Sequence, residues 1–251
     1  MRYIGGMDSP PVRLPHLDAA FNGIRRSVLE ATTRLLGDTI LLTDEDWAQR
    51  TILPEWTRSH VAAHLFENAR GFMRILDALL MGSPRPCGMY ESESGRRSAI
   101  ERGAGLSPLE LQIQLDTTAG QLEEMLDRLT TDDLDAGVLL RPGLRVAARH
   151  VPLARLREVI VHHLDLGTGF CLSSVPADAI DWVLEWQCWW LAGRDDLPAL
   201  RVESTHGLRA TIGAPGTPLV VKGTPVDLLS WLTRRHTPDA LADAPAIAAL
   251  T

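Results

Sequence analysis

Residues 152–167 put an apolar helical stripe around an acid and an imidazole, and that combination limits how the chain can fold. Leu153, Leu156, Val159, Val161, Leu164 and Leu166 recur at helical spacing. Pro152 suits the first helical position and Gly167 suits the stop. Within the stripe, Glu158 and His162 stand four apart and share a face, with Asp165 three residues on. A carboxylate placed among apolar residues is costly unless it has a partner. Either an ion pair or a divalent cation meets that need.

A second pair, His60 and His64, lies about a hundred residues earlier in WTRSHVAAHL. Thr57 suits the N-cap of that helix, after Pro54. Two helices with inward polar pairs supply three metal ligands and leave one position open, as catalytic sites do. Spacing alone admits His60 as readily as His64. It also admits two ordinary helices with a salt-bridged Glu158 and partly exposed histidines.

The rest of the chain reads as two domains. Helical periodicity covers 13–36, Arg58 to near Met81, Ser94–Gly103 and Ser107–Leu129, the last opening with a capped Ser107-Pro108-Leu109-Glu110. An irregular connection spans 84–90 and a turn-rich one 130–151. With the Glu158 helix, the three longer of these make a four-helix bundle over residues 8–172. Residues 173–251 read as a small α+β domain. It has a tryptophan-rich helix over Pro176–Gly193, antiparallel strands near 199–203, 208–213 and 218–222, and a last helix over Pro225–Arg235. Trp182, Trp186, Trp189 and Trp190 share one helical face, which suits a bulky core or the wall of a ligand cleft.

Composition removes several classes. The net charge is −7 with no basic run, which argues against nucleic acid. No segment approaches the length of an apolar membrane span. Cys87, Cys171 and Cys188 are scattered and odd in number, which fits a reducing cytoplasm. The opening MRYIGGMDSPPVRLP lacks a signal core and reads as a loose leader, with Met7 an alternative start.

Three segments, WTRSHVAAHL, MYESESGRRSAIERG and REVIVHHLDLG, occur in an order and spacing that resembles the mycothiol-dependent maleylpyruvate isomerase family of the DinB-like metalloenzyme group. The resemblance runs from the first helix to Arg235. It implies an α+β chain: a DinB-like four-helix bundle followed by a sterol-carrier-protein-like domain. It also implies a divalent metal, with Zn2+ the first expectation, held by His64, Glu158 and His162, and with His60 beside the site. Arg96 and Arg235 match family arginines that face anionic parts of substrate or thiol. Mycothiol would be the thiol cosubstrate, activated as a thiolate toward a small-molecule electrophile.

Arg234 and His236 depart from the family's glycine-rich flanks. With the four tryptophans, they tilt the expectation toward a mycothiol S-transferase or thiol-exchange enzyme. Maleylpyruvate cis-trans isomerisation is the alternative, favoured by two arginines able to clamp a dicarboxylate. A non-catalytic metal-binding protein is a third reading, and it would need a fourth ligand that the motifs do not offer.

Overall fold

The computed structural model describes residues 17, 20–83 and 87–245. The leader with Met7, the first residues of the expected helix over 13–36, and residues 84–86 lie outside the described residues. Two compact units divide between Thr168 and Gly169. The chain is α+β.

The first unit is built on helices α1 (Phe21–Thr39), α2 (Asp44–Trp47), α3 (Arg58–Leu80), α4 (Glu93–Ala104), α5 (Pro108–Asp127) and α6 (Val151–Leu166). Helix α3 packs against α4, α5 and α6, while α1 packs on α6 and α5. The core joins Val61, Ala62, Phe66, Ile100, Leu111, Leu115, Val159 and Leu166. Full burial of one such aliphatic or aromatic side chain stabilises by about 1.5–3 kcal/mol. Small residues on α3 let α4 come close. A Cβ added at Gly103 of α4 would lie 2.6 Å from the Phe66 ring.

The ends of these helices follow from their sequences. Ser107 and Glu110 form a reciprocal capping box ahead of α5, with Pro108 in the first turn. Gly167 ends α6 at φ 62°, a left-handed position that glycine adopts without steric cost. Helix α6 is buried on nearly every face, so its polar residues need partners inside the protein. Arg155 donates to the Leu65 carbonyl and to Asn68 Oδ1, each at 2.8 Å. His163 Nε2 pairs with Asp38 Oδ2 at 2.8 Å, which ties α6 to α1.

The turn-rich stretch over 130–151 holds a hairpin. Strands β1 (Gly137–Arg141) and β2 (Leu144–Ala147) pair antiparallel, with Val138 opposite Val146. Gly143 of the Pro142-Gly143 turn sits at φ 77°. A parallel bridge from Gly88 to Leu139 lays the segment before α4 along this hairpin.

The second unit consists of α7 (Ala177–Leu191), β3 (Leu200–Ser204), β4 (Arg209–Ile212), β5 (Leu219–Gly223) and α8 (Pro225–Leu232). The sheet order is β4-β3-β5. Strand β3 is antiparallel to β4 but parallel to β5, so the sheet is mixed rather than antiparallel throughout. Ile212 and Leu219 both lie opposite Leu200, so residues 213–218 need only cross one end of β3. Helix α7 packs on β4 and α8. Trp186 is buried and meets the half-buried Trp189 ring at a tilt of 39°, with centroids 4.7 Å apart. The last helix is shorter than expected. It ends at Leu232, and Arg234 takes a left-handed φ of 59° beyond it. No helix among the described residues is long and apolar enough to cross a membrane.

Candidate metal centre

Thr57 sets the geometry of the site by fixing where α3 begins. As its N-cap, Thr57 makes His60 the third helical residue, and His60 Nδ1 folds back to the Thr57 amide at 3.2 Å. One turn later His64 lies buried between Ala63 and Leu65. Arg58 links the two site helices. Its Nε donates to the Leu166 carbonyl at 2.6 Å and its Nη2 to the Gly167 carbonyl at 3.3 Å. A cation thus caps the C-terminus of α6, where the helix dipole favours positive charge.

The structure brings His64, Glu158 and His162 together, with one donor atom from each all within 4.8 Å of one another. His64 Nε2 is 2.9 Å from Glu158 Oε2, and His162 Nε2 is 3.5 Å from the same oxygen. Ligands of a tetrahedral ion with bonds near 2.1 Å lie about 3.4 Å apart, so this donor set fits a divalent cation with little movement.

The surrounding residues fix each donor. Arg157 Nη1 holds Glu158 Oε1 at 2.6 Å, leaving Oε2 toward the histidines. Asp165, whose side chain has no exposed surface, holds His162 Nδ1 at 2.7 Å. A proton on Nδ1 in that contact leaves the Nε2 lone pair for a metal. Burial first, and then the His162 ring, pushes the His64 pKa down to about 4 despite the Glu158 hydrogen bond. Burial is also the largest influence on Glu158 and opposes its ionisation. The Arg157 charge and the contacts with His162 and His64 outweigh it, and the carboxyl stays well below its usual range. His64 is therefore neutral and Glu158 ionised at pH 7, the states in which both bind cations.

Other expected residues fall at different distances. Arg96 lies beside the triad, with Nη2 3.5 Å from His64 Nδ1 and Nη1 on Glu93 at 3.0 Å. His60 is not in the triad: besides its capping role, its Nε2 is 3.4 Å from Glu101 Oε2. Trp56 approaches His64 with ring centroids 5.5 Å apart. Arg235 belongs to the second unit, where its Nη1 donates to the Thr233 carbonyl at 2.6 Å.

Sequence reasoning gave no role to Arg58, Arg157, Asp165 or Tyr90. For Asp165 a signal was present. An acid three residues after a buried histidine, on the same face, is well placed to orient it.

A helical bundle carrying an inward His-Glu-His cluster, followed by a small α+β unit, is consistent with the DinB-like class expected from the sequence. The family model described as the mycothiol maleylpyruvate isomerase N-terminal domain matches residues 28–167, more than half of the chain. The chain belongs to that family. Two crystal structures of the mycothiol-dependent maleylpyruvate isomerase share its fold, one of them of a histidine-to-alanine mutant. Each superposes with a TM-score of 0.76 at 22% identity, covering 86% of this chain and 90% of the other. No curated protein sequence matches the chain.

Proposed function

We propose that this chain is a metal-dependent enzyme that uses mycothiol to isomerise maleylpyruvate about its cis double bond. The observation that carries the proposal is the His64–Glu158–His162 cluster within the region matched by the family model. The leaning toward sulfur transfer rested on the Arg235 flanks and the tryptophans. Family membership favours the isomerase over both sulfur transfer and a non-catalytic role. The proposed ligands are His64, Glu158 and His162, the proposed ion is Zn2+, and the proposed setting is the cytoplasm.

When bound, the cation would acidify the thiol so that it is a thiolate at neutral pH. The chain's own residues do the rest. Arg157 and Asp165 hold Glu158 and His162 in place. Arg96, beside His64, offers N–H donors to a substrate carboxylate, and Arg235 is the proposed second anion partner. Sulfur adds to one carbon of the C=C bond, and the π pair moves onto the conjugated carbonyl oxygen. The former double bond rotates as a single bond. The electron pair then returns and sulfur leaves, with no net change in protons or electrons.

Incubating the metal-loaded protein with mycothiol and maleylpyruvate tests this. Fumarylpyruvate should form while mycothiol is recovered unchanged. A product that retains sulfur, with mycothiol consumed in step, would establish transfer instead.

A further inference from the structure

Tyr90 sits where three fixed elements meet. Arg74 Nη1 donates to the Met89 carbonyl at 2.8 Å, and Met89 packs against Gly71 of α3, where an added Cβ would meet it at 3.1 Å. The Gly88–Leu139 bridge pins the segment from the other side, and Ser92 caps α4 two residues on. The phenol ring faces Arg96, whose guanidinium carbon is 5.8 Å from the ring centroid. Arg96 in turn is the cation beside His64. Even so, the Tyr90 hydroxyl is buried and its O–H meets no acceptor among the described residues, since the nearby Arg96 guanidinium can only donate to the phenol oxygen. An unsatisfied buried hydroxyl is destabilising, and fixed, unsatisfied donors of this kind are characteristic of sites that wait for a ligand's acceptor.

We propose that the Tyr90 hydroxyl donates a hydrogen bond to the substrate carbonyl oxygen that gains negative charge when sulfur adds to the adjoining C=C bond. The inference rests on the isomerase reading. The phenol gives a hydrogen bond and keeps its proton, so the atom and electron balance of the reaction is unchanged. Its acidity fits that role. Burial, against the opposing pull of Arg96, pushes the Tyr90 pKa up to about 12, so it remains a neutral donor across the working range. Arg96 lies on the same side and can bind a neighbouring carboxylate, so the two residues divide the oxygens of a keto acid between them.

Tyr90→Phe removes only the hydroxyl. On this account kcat with maleylpyruvate falls about 10²-fold, the usual loss for one oxyanion donor, while KM changes little. Metal content and mycothiol affinity stay as in the wild type. The melting temperature is unchanged or higher, because a buried O–H without an acceptor has gone. Undiminished kcat, or a lowered melting temperature with metal lost, would overturn the proposal.

A second readout does not depend on turnover. Tyr3 and Tyr90 are the two tyrosines of the chain, so 3-fluorotyrosine labelling in a Tyr3→Phe background reports on Tyr90 alone. Acetopyruvate, a dioxo acid without the alkene, should shift the fluorine resonance of the metal-loaded protein, and an unmoved resonance would contradict the assignment. If the wild type fails to isomerise maleylpyruvate, the isomerase reading falls. The acetopyruvate titration then still decides whether Tyr90 meets a carbonyl oxygen at this site.

Discussion

Asp165 commits a fully buried carboxylate to one ring nitrogen of His162. Its main effect is on which nitrogen of His162 is free, so removing it should weaken metal binding more than folding. Asp165→Asn is expected to lower metal affinity about 10–100-fold with an unchanged helical circular dichroism spectrum, as measured by competition with a chromogenic chelator. The choice between His60 and His64 shows what a sequence yields at this scale. Equal spacing placed both on one face, and only the family resemblance separated them. The sequence nevertheless held a physical clue. Thr57 as N-cap makes His60 the third helical residue, whose side chain commonly turns back to the cap. Tyr90 gave no such clue, because its burial depends on Met89, Gly71 and the hairpin, which are remote from it or from one another in the chain.

Helices α3 and α6 carry the site, and the Arg58 side chain joins the start of one to the end of the other. The part-buried, charge-assisted bond to the Leu166 carbonyl stabilises by roughly 2 kcal/mol, and the exposed one to Gly167 adds little. Arg58→Ala should therefore lower the urea midpoint of the metal-free protein by a corresponding amount, and should weaken metal binding because the helices lose register. A variant with wild-type stability would show that the cap is dispensable. Most helices were legible because their signals are local: Ser107, Pro108 and Glu110 open α5, and Gly167 closes α6. The β1–β2 hairpin was missed although Pro142-Gly143 marked its turn, because its strands are too short for alternation to stand out. The parallel pairing of β3 with β5 was missed for another reason. Each strand reads the same in either direction, and the partner is fixed by how residues 213–218 cross the sheet.

At the scale of the whole molecule, the metal cluster belongs entirely to the first unit, and Arg235 is the residue by which the second is proposed to enter the reaction. Arg235→Ala is expected to lower kcat/KM for maleylpyruvate about 10²-fold with metal content unchanged, through loss of a charge-assisted contact to an anion. An unaffected kcat/KM would remove Arg235 from the site. Underlying all of this is the proposal of a single divalent ion on His64, Glu158 and His162, and elemental analysis after metal loading and desalting tests it most directly. The wild type and His60→Ala should each retain about one ion per chain. His64→Ala and Glu158→Gln should retain almost none while keeping their helical spectra. Full metal content in either of the latter two would contradict the proposed centre.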